Sequence, residues 1–134
     1  MPLQEAVRQV FGQLAGSLDL MSQDEFVKPC VHLSNSTIGQ HVRHIIEMFQ
    51  CLELGYEAGT VNYEQRKRDR LIETDKSVAS NALQQIFEGL NKPDKSMMLE
   101  GMYNDHADTL IQIPTNQIFS LFHELSCLFF VLTF

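Results

Sequence analysis

Residues 36–47 read "STIGQHVRHIIE", and residues 55–75 continue as "GYEAGTVNYEQRKRDRLIETD". In the first stretch Ile38, Val42 and Ile45, extended by Phe49 and Leu52, recur at steps of three and four, which places them on one face of a helix. Ser36 has the chemistry of its N-cap, and Gly55 or Gly59 can end it. His41 and His44 stand three residues apart, so both imidazoles rise from one side of this helix at the flank of the apolar stripe. That spacing suits metal ligands, a proton-transfer pair or plain surface polar groups, and spacing alone favours the last.

The same periodicity extends outward in both directions. Leu3, Val7, Val10, Phe11, Leu14, Leu18 and Met21 mark a first helix of roughly five turns. Ser22 with Glu25 has the form of a capping box for a short extra turn, and Pro29 then forces an extended connection. Asn62 with Gln65 suggests a cap before a short charged turn, Glu64 to Arg70. Val78, Ala82, Ile86 and Leu90 mark a helix from Asp75 to Leu90, stopped by Asn91, Lys92, Pro93 and Asp94. Ser96 to Ile113 has no helical stripe and reads as a small hairpin or an ordered loop. Pro114 and Thr115 are expected to open a last helix with Ile118, Leu121, Phe122, Leu125, Leu128 and Leu132 inside. The expectation is an all-α four-helix bundle formed by one domain, residues 1–134.

The chain has 134 residues, 44% of them hydrophobic and 20% charged, the balance of a globular protein that can bury a core. Ten Lys and Arg against 17 Asp and Glu give a net charge of −7. That repels phosphate backbones and anionic lipid heads, so no nucleic-acid or membrane role is expected. Cys30, Cys51 and Cys127 form no CxxC pair and suggest a reducing cytoplasm, each as a small apolar filler. Glu5 within the first apolar turns argues against a signal peptide. The apolar run from Leu125 to Phe134 is about half the ~20 residues that a bilayer crossing needs.

The two motifs together, spanning residues 36 to 75, resemble the DinB-like group of bacterial proteins. In one version of that group a Gly-Gln-His-x-x-His helix precedes a Gly-x-Val-x-Tyr-x-x-Arg segment; the rest of the chain matches in helix order. The resemblance implies an up-and-down four-helix bundle, often a homodimer. It also implies a divalent metal, Ni, Zn or similar, held by three histidines with open positions for water or substrate. Members with known chemistry include thiol-dependent S-transferases and an isomerase that uses a small-molecule thiol. His44, the second histidine of "GQHVRH", falls on the helix-two ligand, and His41 lies one turn before it as a supporting group or an alternative ligand.

The family's other two ligands come from a His-x-x-x-His on the last helix. Here His123-Glu124-Leu125 matches the approach to that motif, with His123 in place of an Arg, but the first ligand position falls on Val131 and the second just beyond Phe134. Valine donates no lone pair, so the metal site is incomplete as read, and "CLFFVLTF" is read as a truncated or frame-shifted tail. Asp105, His106 and Asp108, or His123 with Glu124, form a weaker substitute set. Arg66, Lys67, Arg68 and Arg70 can clamp a phosphate or carboxylate, but the interleaved Glu64, Asp69, Glu73 and Asp75 favour a solvated helix face laced by ion pairs. His32 reads as a loop residue, and Met97, Met98 and Met102 as gap-fillers.

Two functional readings follow. One is a metal-dependent thiol transferase or hydrolase using His44, with a small-molecule thiol as partner. The other is a metal-free helical binding or structural module that self-associates.

Overall fold

The computed structural model describes residues 2–90, 92–102 and 110–116. Helix α1 (Pro2–Leu20) buries Val7, Val10, Phe11, Leu14 and Leu18. Ser22 then caps α2 (Gln23–Val27) with a complete capping box: Glu25 N–H donates to Ser22 Oγ at 3.1 Å, and Ser22 N–H donates to Glu25 Oε1 at 3.2 Å. The chain turns through the two-residue strands β1 (Pro29–Cys30) and β2 (Ser36–Thr37), paired antiparallel. His32 sits between them in a 3-10 turn, Val31–Leu33.

Helix α3 (Ile38–Ala58) is the axis of the fold. Val42, Ile45, Ile46, Phe49 and Leu52 are buried along it, and the Phe49 ring meets Phe11 of α1 edge to face, with centroids 4.6 Å apart. Gly59 ends the helix in the left-handed region, φ 84°, and its N–H donates to Gly55 O at 2.7 Å. Strand β3 (Thr60–Val61) follows, then a 3-10 turn (Tyr63–Gln65), α4 (Arg70–Thr74) and α5 (Lys76–Gly89). Helix α5 packs on both α1 and α3. Lys76 Nζ donates to Leu18 O and Met21 O, each at 2.9 Å, placing a cation on the carbonyl end of α1. One apolar cluster draws on α1, α2, α3, β3, α4, α5 and Met97.

Strand β4 (Ser96–Met102) pairs parallel with β3 and antiparallel with β5 (Leu110–Asn116), in the order β3-β4-β5. Glu100 ties the three together, accepting from Asn62 Nδ2 and Gln112 Nε2 at 3.2 Å each.

These strands correct the expectation of an all-α, up-and-down four-helix bundle: the described residues combine helices with two small sheets. Ser96–Met102 and Leu110–Asn116 take the hairpin rather than the loop alternative. Pro114 and Thr115 do not open a helix; they lie in β5 opposite Met98 and Met97. Proline suits the first turn of a helix, but it is also tolerated on an edge strand, and β5 is at the edge of the described sheet. The helix expected after Thr115 lies, from residue 117 on, outside the described residues. So do Asp105, His106, Asp108, His123, Glu124, Cys127 and Val131. No helix among the described residues is long and apolar enough to cross a membrane.

Candidate functional site

The N-terminus of α3 is fixed by Thr37, one residue later than the cap expected at Ser36. Thr37 Oγ1 accepts from Gln40 N–H at 3.0 Å, and Gln40 Oε1 accepts from Thr37 N–H at 2.9 Å. With the apolar stripe turned into the core, the other flank of the first two turns carries Gln40, His41, Arg43 and His44. Helix α4 approaches that flank at Gly39, where a Cβ would overlap the Glu73 carbonyl oxygen. Between the two elements lies an open cleft of about 640 Å³, lined by Ser36, Gln40, His41, Arg43, His44, Arg70 and Glu73. Both histidines of the helical motif therefore line one cleft.

Beneath it runs a charged network. Glu47 is 1% exposed, although it stands in the apolar run Ile45-Ile46-Glu47-Met48-Phe49. Its Oε1 faces Arg43 Nε at 3.6 Å and Arg66 Nε at 3.7 Å, and its Oε2 accepts from Asp69 N–H at 2.8 Å. Glu73 Oε1 faces Arg43 Nη1 at 3.3 Å and Arg70 Nε at 3.5 Å. Arg43 thus bridges two buried carboxylates, and three guanidiniums meet two acids. The charged segment is not the solvated helix face expected from its sequence, because residues 66–69 are non-helical and Arg66 turns inward to Glu47.

The motif residues of this segment each hold the fold in a definite way. Gly59 supplies the left-handed turn, Val61 is fully buried in β3, Tyr63 packs on the core, and Arg66 clasps Glu47. Glu47 and Glu73 were missed as members of the site. The available signal was a carboxylate inside an apolar run, four residues after an arginine.

His44 titrates below its ordinary range. Burial is the main cause, followed by the Arg66 cation; Glu47 opposes them, and His41 and Arg43 add smaller downward pulls. Its imidazole is therefore neutral near pH 7, the state that coordinates a metal or accepts a proton. Among the described residues, however, no three His, Cys, Asp or Glu side chains come together as a metal-binding group. Comparison with protein-family models, curated proteins and solved structures finds no match to this chain.

Proposed function

We propose that the chain is a DinB-like protein that works at this cleft as a divalent-metal-dependent transferase or hydrolase. His44 is a ligand, His41 lies behind it or beside it, and a small-molecule thiol is the partner substrate. The observation carrying this reading is that His41 and His44 line the same cleft with the His44 imidazole neutral. The fit is incomplete. Among the described residues the cleft offers two imidazoles, while Glu47 and Glu73 are already engaged by arginines, so these side chains do not by themselves close a three-histidine site. That commitment of both acids favours a second reading, a metal-free binding module built on the same cleft.

Elemental analysis of the purified protein and of His44→Ala decides between them. The first reading expects about one tightly held ion per chain, lost in the variant. An equal, negligible metal content in both proteins overturns it in favour of the second.

A further inference from the structure

We propose that the cleft binds a small carboxylate on the outer edge of Arg70, beside His44. The inference goes beyond the metal reading and does not depend on it. Three guanidiniums, Arg43, Arg66 and Arg70, face the two carboxylates of Glu47 and Glu73, which leaves one positive charge at a cleft in a chain whose net charge is −7. The positions of the charges place that surplus. Arg43 and Arg66 are 20% and 18% exposed and point their Nε atoms at Glu47, whereas Arg70 is 86% exposed. Glu73 takes only the Nε of Arg70, and among the described residues Nη1 and Nη2 meet no acceptor.

The side chain is thus steered by its inner nitrogen, and Arg70 lines the cleft together with Ser36, Gln40, His44 and Glu73. Two parallel N–H donors on a planar group match the two oxygens of one carboxylate. An imidazole and an amide nearby add polar contacts. A single surplus cation balances a monoanion better than a dianion, which selects carboxylate over phosphate.

The test is a titration of metal-stripped, desalted, isotope-labelled protein with propionate, and separately with inorganic phosphate, at low ionic strength, followed by NMR. Propionate is expected to shift the Arg70 side chain and the Ser36–His44 amides saturably. Arg70→Gln should weaken binding at least about tenfold, the scale of one lost charge-assisted pair. Arg70→Lys should recover part of it, and Lys67→Gln, an equal charge loss at an exposed neighbour, should change it less than about twofold. Shifts that do not saturate, equal losses in Arg70→Gln and Lys67→Gln, or tighter phosphate than propionate binding would each overturn the proposal. Because no metal is present, these outcomes are independent of the elemental analysis.

Discussion

His44 carries a consequence for stability as well as for chemistry. In the unfolded chain its imidazole titrates near the ordinary value of about 6.5, and in the fold it titrates lower. Between those two values the unfolded chain binds more protons, so stability is complete above about pH 6.5 and is lost as pH falls toward the folded value. Urea unfolding of the metal-free protein from about pH 8 to about pH 5 should show this loss, superimposed on the other titrations. In His44→Gln the group no longer titrates, and the decline across that window should be shallower. Superimposable slopes would mean that the fold does not hold this imidazole neutral. The position of His44 was legible from its place beside the helical stripe. Its titration was not, because burial is the main cause and the Arg66 cation reaches it only once residues 59–66 have folded back on α3.

At the scale of elements, the approach of α4 to α3 depends on a missing side chain. At Gly39 an added Cβ would overlap backbone of Glu73 and lie 3.0 Å from Phe26 Cε1, so Gly39→Ala must push α4 or α2 outward. Alanine favours a helix over glycine by roughly 0.5–1 kcal/mol, but overpacking costs about 1–3 kcal/mol, and the net change should be destabilising. Gly16→Ala in α1 is the control: its Cβ meets nothing within 4 Å, and it should stabilise by roughly 0.5–1 kcal/mol. Denaturation midpoints of the two variants should therefore move in opposite directions, and a stabilised Gly39→Ala would show that α4 is not packed there. The long helices were legible because apolar residues recurring every three to four positions over many turns line up on one face only in a helix. The short elements were not. Pro114-Thr115 satisfies a helix start and an edge strand equally well, and only the partner strand β4 decides. Ser36 and Thr37 are both N-cap residue types, and the cap falls on Thr37, whose capping-box partner is Gln40.

Across the whole molecule, Glu47 joins what the core and the cleft each require. It lies on the central helix, yet its carboxylate reaches Arg43, Arg66 and the Asp69 amide, so the non-helical segment leading into α4 is anchored through one buried side chain. Asp69 in turn accepts from Leu71 N–H at 3.0 Å and caps α4, which carries Arg70 and Glu73 to the cleft. Glu47→Ala leaves two partly covered guanidiniums without their acid and removes the acceptor of the Asp69 amide. Breaking a buried pair costs about 3–5 kcal/mol, and the lower end applies because both arginines reach solvent. The loss should concentrate at the anchored segment. Trypsin should cut faster after the exposed Lys67 and Arg68 in Glu47→Ala than in the parent, and the Asp69 amide should exchange faster, while amides of α1 follow only the global change. Glu47→Gln separates charge from shape, since its amide oxygen can still accept from Asp69. If Gln restores slow cleavage, the hydrogen bond anchors the segment; if it behaves as Ala does, the arginine pairs carry it, and the cleft is held together by charge.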